Sequence, residues 1–419
     1  MFAKLKKDTY FFILFFYVLI MVLDESNYKY NSYYNVLAFI GKLVIFCFIL
    51  VYIKKFNIIQ IKHDIFIFSL IFLNALSMFK NGLEINMILF LLMILASKKV
   101  PLYSVFKVFL LSFLIGICFI VLSSFIGFIP DTLNVRYSDD FLTLFILHTN
   151  RYERHSFGFQ FSNQVPFVLM TIYFLFIALR QQKMKVKEHV IFEILNFIIF
   201  ILCGSRFVLI IIIMTNICYV LYKNMHKYFL RGQFFLSIKK VTFIIRNIFI
   251  IGAIFSFACV LFNAYVPTKF DSVLNFRLTY ALEAIKYYGI HLFGSGFDAG
   301  TAQGAIKVIV DNGYIMLFMQ RGILFAIVLL LYWTEIIHIL LKKNNFYMII
   351  PILMIALENF VDYQVLSYHF LPFMCIFLHK EDRLLFLKLV NRKGVKNYGK
   401  YNKNVYQTQR NRRFKKGNL

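Results

Sequence analysis

Residues 308–341 read VIVDNGYIMLFMQRGILFAIVLLLYWTEIIHILL, an almost unbroken apolar run. A helix crosses the hydrocarbon of a bilayer in about 20 residues, so this run is too long for one upright span. Arg321-Gly322 is the break inside it. The length is accounted for by a short helix over the outer surface, within IKVIVDNGYIMLFMQ (306–320), followed by a true span, ILFAIVLLLYWTEIIHILL (323–341).

Working outward, further apolar runs bounded by Lys, Gly or Pro fall near 10–23, 36–53, 64–79, 83–97, 101–129, 157–180, 189–203, 207–222, 241–262, 346–361 and 365–379. Together they predict an all-α polytopic membrane protein with roughly twelve crossings. The chain is 60% hydrophobic with a mean hydropathy of +0.72. A soluble domain stays near half apolar and interleaves charge, so a soluble fold is excluded. The opening MFAKLKKDTY with FFILFFYVLIMVL imitates a signal peptide, but DESNYKY after it offers no small-residue cleavage site. It is read as a retained first span.

With the amino terminus inside, every loop assigned to the inner side is basic, as at Lys54/Lys55, Lys98/Lys99 and Lys342/Lys343. The positive-inside rule then orients the chain without conflict, with both termini cytoplasmic. Residues 1–379 form the membrane domain, and 380–419 a basic cytoplasmic tail suited to an anionic inner leaflet. Two long polar loops, 130–156 and 263–307, face outside.

The formal charge of +26 is explained by loop and tail cations rather than by nucleic acid, since no aromatic-lined or folded nucleic-acid module accompanies it. The six cysteines lie in or beside apolar runs with neither CxxC pairs nor Cys/His spacing, which argues against structural disulfides or zinc. No metal and no cofactor is expected. Gly294-Ser-Gly296-Phe-Asp-Ala-Gly300 lacks the Lys-Ser/Thr and preceding strand of a nucleotide loop. Within the spans Lys42, Glu193 and Asn196 are the notable polar residues, few for a transporter that needs a convergent polar set at mid-membrane.

The inner loops use mainly Lys, whereas the outer face carries Arg136, Arg151, Arg154, Arg206, Arg277 and Arg321. Lys suffices for topology, but the planar guanidinium fork binds phosphate bidentately and stays charged. An outer cluster of arginines therefore points to an anionic ligand. Arg206, in CGSRF between two apolar spans, is expected to face the bundle interior, because a guanidinium in lipid is costly unless paired or wet.

Four stretches carry a resemblance. Arg154, Gly158-Phe159 and Asn163 in RYERHSFGFQFSN resemble the R-x-x-x-G-F-x-x-x-N pattern of Wzy-type polysaccharide polymerases. Gly204-Ser205-Arg206 resembles the Ser-Arg at a span start in O-antigen polymerases and ligases. Arg277 with Leu292-Phe293-Gly294-Ser295-Gly296 resembles their outer-loop element, and Asp311-Asn312-Gly313-Tyr314 with Gly322 resembles the helix after it. The resemblance covers 151 to about 340. The sequence departs from the pattern where eleven residues rather than ten separate Arg277 from Gly289, where Ser162 replaces a frequent Pro, and where Asp311 stands in place of the His of ligases.

That resemblance implies a GT-C-like helical architecture in a bacterial cytoplasmic membrane and a glycosyltransferase that joins undecaprenyl-pyrophosphate-linked repeat units. It implies membrane lipids as surroundings, and a flippase and chain-length regulator of the same pathway as partners. On it rest the expected roles. Arg206 and Arg277 serve the pyrophosphate, Arg151 and Arg154 assist a lipid-linked substrate, and Asn163, Gly294, Gly296, Asn312 and Tyr314 bind substrate. Asp311 is the first candidate for the general base, with Glu153 and His291 behind it. A ligase of finished glycan shares the motifs, and a flippase of lipid-linked repeats is the alternative from another class.

Overall fold

The computed structural model describes residues 2–55, 61–81, 85–137, 151–229, 239–263, 271, 277–295, 310–362 and 366–379. Residues 1–378 cluster as one compact unit, and the basic tail 380–419 lies outside the described residues. The protein is an all-α membrane protein. Among the described residues five helices are long and apolar enough to cross a bilayer: Ser32–Lys55, Leu102–Phe125, Gln164–Lys183, Arg206–Asn224 and Ile323–Lys342. Shorter apolar helices accompany them, at Asp64–Met78, Ile85–Ser97, Ile248–Phe262, Phe346–Glu358 and Tyr368–His379.

In chain order the helices are α1 (Phe2–Asp24), α2 (Ser32–Lys55), α3 (Ile61–Asn81), α4 (Ile85–Ser97) and α5 (Leu102–Phe125). Two short strands follow, β1 (Asn134–Tyr137) and β2 (Arg151–Arg154), paired antiparallel from Asn134↔Arg154 to Tyr137↔Arg151. Then come α6 (Gln164–Arg180), α7 (Val186–Cys203), α8 (Arg206–Phe229), α9 (Lys239–Arg246), α10 (Ile248–Phe262) and α11 (Arg277–Tyr288). The last helices are α12 (Gly313–Arg321), α13 (Ile323–Lys342) and α14 (Phe346–Glu358), before a segment of mostly 3-10 turns ending at His379.

The long helices bury one face and leave the other apolar and open: Leu37, Ile40 and Phe48 on α2, and Ile194, Phe197 and Ile201 on α7, are exposed. Such surfaces face hydrocarbon, where backbone groups must bond within the segment and helices do so. The interior is built on α14, buried along nearly all its length, and on α12.

The expected break at Arg321-Gly322 is present. Gly322 has φ +87°, and a Cβ there would meet Leu292 O and Gly294 N at 2.4 Å. Only glycine fits a corner that a second chain segment crosses so closely. The position of the short helix differs from the expectation. Ile315, Leu317 and Met319 of α12 are fully buried, so this helix is inside the bundle rather than over its surface. Its apolar residues have neighbours on all sides, which an interfacial helix would lack. Other boundaries shift as well. The run at 157–180 becomes helical only at Gln164, the run at 241–262 is interrupted at Asn247, and the run at 365–379 is mainly 3-10.

Candidate functional site

The loops and helix ends of one side meet at a cavity of about 420 Å³. Each wall has a local cause. Asp131 accepts hydrogen bonds from the backbone N–H groups of Ser156 and Phe157, both at 2.8 Å, and lies 2.7 Å from His155 Nδ1. This fixes the chain just after Arg154. Burial alone would raise the Asp131 carboxyl, but the bonds from His155, Ser156 and Phe157 outweigh it and hold it below its ordinary value. The His155 N–H donates to Leu202 O, and Arg154 Nε donates to Cys203 O, so the end of β2 is docked on the carboxyl end of α7.

Gly204, at φ +66°, ends α7 in the left-handed conformation, and its N–H returns to Phe200 O at 2.7 Å. The turn is complete within Gly204-Ser205, which puts Arg206 at the first position of α8, half-buried on the cavity wall. Arg277 opens α11, and Asp271 holds that end by accepting from the N–H groups of Leu278 and Thr279 at 3.0 and 3.1 Å. Its guanidinium donates from Nη1 to Val361 O at 2.6 Å, and Nε stands 3.1 Å from Asp311 Oδ2.

Arg154, Arg206 and Arg277 thus line one cavity, with Asp311, Glu358 and Asp362 among them. The amino ends of α6, α8, α11 and α12 reach it through Asn163, Arg206, Arg277 and Asn312, and the carboxyl ends of α7 and α14 through Gly204 and Glu358. A helix amino terminus carries about half a positive charge; those of α11 and α12 are already capped by Asp271 and Asn312, so the anion-binding character of the site comes from the three guanidinium groups and the amino ends of α6 and α8. The facing carboxyl groups suit hydroxyls. Phe167, Val208 and Ile210 supply an apolar edge. Among the described residues no three His, Cys, Asp or Glu side chains are arranged to hold a metal ion.

Several expected substrate residues have other work. Asn312 caps α12, accepting from the N–H groups of Tyr314 and Ile315 at 3.1 Å while its amide donates to Ser256 Oγ and Phe360 O. Its side chain is committed to the fold although it borders the cavity. Tyr314 is fully buried, bonds Ala356 O at 2.8 Å and packs over Gly252, away from the cavity. Gly294 lies against Gly322 in the segment that closes the α12–α13 corner, where Ser295 N–H bonds Met319 O. Arg321 is also interior, with Nη1 3.2 Å from Asn74 Oδ1, and is no outer-face arginine. Asn163 differs in the opposite sense. It occupies the cap position of α6 without a side-chain capping bond and is exposed on the cavity.

Arg151 is placed on β2, and its side chain, like that of Arg136, lies outside the described residues, as does Gly296. Glu153 and His291 are exposed and do not line the cavity. Gly158-Phe159 serves packing, since a Cβ on Gly158 would strike Ile129 at 2.7 Å and Phe159 is fully buried.

Two features escaped the sequence reading. Glu358 lines the cavity at 3% exposure; an ionisable residue closing the apolar run MIIPILMIALE was the available signal. The polar set within the spans is also larger than expected. Tyr173 and His189 bond each other at 2.8 Å, and both reach Asn216, which with Asn196 bonds Glu193, joining α6, α7 and α8. Direct bonds of this kind tie helices together in lipid.

Compared with known proteins, the chain matches no family model and no curated protein.

Proposed function

We propose that this chain is a bacterial surface-polysaccharide polymerase of the Wzy type, a metal-independent membrane glycosyltransferase. It takes a growing glycan from undecaprenyl pyrophosphate and joins it to a fresh lipid-linked repeat unit at the outer face of the cytoplasmic membrane. The observation that carries this is the meeting of Arg154, Arg206 and Arg277 with Asp311 at one cavity. These residues come from the stretches that resemble the polymerases, and they are far apart in sequence.

The chemistry fits the residues. As the bond between the anomeric carbon and the pyrophosphate breaks, negative charge gathers on the leaving group. Guanidinium forks and the amino ends of α6 and α8 at the cavity stabilise that charge without reorganising. Arg206 serves the pyrophosphate with Arg154 assisting, while Asn163 offers an amide to sugar hydroxyls; all three line the cavity. The GT-C-like architecture, roughly twelve crossings with the shorter helices counted as tilted or partial ones, and cytoplasmic termini belong to the same proposal. So do the flippase and chain-length regulator as partners.

Purified full-length protein in detergent, given undecaprenyl-pyrophosphate-linked repeat units, is expected to build a ladder of longer lipid-linked glycans. A flippase lengthens nothing there, and that outcome overturns the proposal. A deletion strain is expected to accumulate single lipid-linked repeats; full-length lipid-linked polymer would indicate a ligase instead.

A further inference from the structure

Glu358 is the least explained ionisable group at the cavity. It ends α14, is 3% exposed, and its Oε2 is buried without a hydrogen-bond partner. A buried carboxyl oxygen forfeits the bonds it had in water, and folded proteins rarely leave one unmatched. Helix stability does not account for it either, because a carboxyl group in the last turn faces the negative end of the helix dipole. What remains is a bond to something that enters the cavity, which Glu358 lines.

The cavity's charged groups divide. Arg154, whose Nε donates to Cys203 O, adjoins the Gly204-Ser205-Arg206 turn. Arg277 instead sits with Asp311, at 3.1 Å, and reaches Val361 O in the segment directly after Glu358. Asp362 is there too, its N–H bonding Glu358 O at 3.0 Å. Asp311 already accepts a charge-assisted bond from Arg277, whereas Glu358 Oε2 accepts none.

We infer that Glu358 is the group that receives the acceptor hydroxyl. This rests on the polymerase function proposed above. In the transfer step the acceptor oxygen bonds to the anomeric carbon, and the bond from that carbon to the pyrophosphate oxygen breaks. Its electron pair leaves on the pyrophosphate, and the hydroxyl proton passes to Glu358 Oε2. Asp311 positions Arg277 and takes no proton.

The test compares full-length wild type, Glu358→Gln, Glu358→Asp and Asp311→Asn in detergent, with lipid-linked repeat units as substrate and undecaprenyl pyrophosphate as binding probe. Glu358→Gln is expected to bind undecaprenyl pyrophosphate like wild type while transfer slows by about 10²-fold or more. Its rate should lose the fall at acid pH that wild type shows, and Glu358→Asp should recover part of it. Asp311→Asn is expected to retain that acid limb. Wild-type transfer by Glu358→Gln overturns the assignment while leaving the polymerase reading standing. Slow transfer with equally weakened pyrophosphate binding also overturns it, by making the residue structural. No product from wild type overturns the polymerase reading and this assignment with it.

Discussion

Arg277 Nε stands 3.1 Å from Asp311 Oδ2, joining the first residue of α11 to the residue before the Asn312 cap of α12. The same guanidinium donates to Val361 O, so one side chain is held by two adjoining segments that line the cavity. A fork fixed in this way meets a ligand without losing rotamer freedom at the moment of binding. Arg277→Ala is expected to abolish long-chain product, a loss of about 10²-fold or more in transfer, while the protein remains in the membrane. Product ladders on gels together with membrane immunoblots check this; polymer of wild-type length would remove Arg277 from the mechanism.

Arg206→Lys keeps the charge at the start of α8 and loses the planar fork. Transfer should fall by about tenfold or more, because a charge-assisted bond is removed while the long-range field is kept. Donor binding and turnover measured on the purified variant decide it. Unchanged values would mean that Arg206 acts as a point charge only.

Asn312→Ala removes the cap of α12 and the bonds to Ser256 and Phe360. The expected loss is about 1 kcal/mol or more in thermal unfolding, with little change in pyrophosphate affinity for the protein that stays folded. A selective loss of affinity at unchanged stability would restore Asn312 to the substrate site.

Gly322→Ala places a methyl group 2.4 Å from Leu292 O and Gly294 N at a φ of +87°. Backbone atoms cannot swing aside as a side chain does. The substitution should cost roughly 1–3 kcal/mol or more and lower the yield of monodisperse protein, measured by gel filtration in detergent.

Asp131 links pH to the order of the segment that carries Arg154. Its folded carboxyl titrates below its unfolded value, which is about 3.9. Its contribution is therefore fully present above pH ~4 and is lost as pH falls through the lower folded value. Asp131→Asn should unfold at a lower temperature than wild type at pH 7, and the gap should close below pH ~4. A gap unchanged at pH 3 would show that its charge is irrelevant.

Several parts of this molecule were legible along the chain for definite reasons. Apolar runs such as 102–125 and 323–342 reveal helices because lipid demands both their length and their composition. The corner at Arg321-Gly322 was legible because glycine interrupts an otherwise continuous run. Arg206 was legible because a guanidinium seldom opens an apolar helix without a polar place to go. The capping role of Asn312 and the burial of Tyr314 were not legible, since an Asn-Gly-Tyr string looks the same whether its side chains meet a ligand or cap and pack a buried helix. Glu358 was passed over because one carboxylate at the end of an apolar run does not show what it faces.

The sequence by itself determined that the chain is helical and lives in a membrane, and it marked Arg154, Arg206 and Arg277 as residues that lipid alone does not explain. Those are local properties: hydropathy per turn, glycine at a corner, charge at a helix end. Only the tertiary structure decided that Arg154, Arg206 and Arg277 share a cavity with Glu358, that α12 is buried, and that Gly294 and Tyr314 serve packing. Those depend on contacts between segments as remote as Arg277 and Val361, and such contacts arise from how helices pack rather than from any one helix's composition.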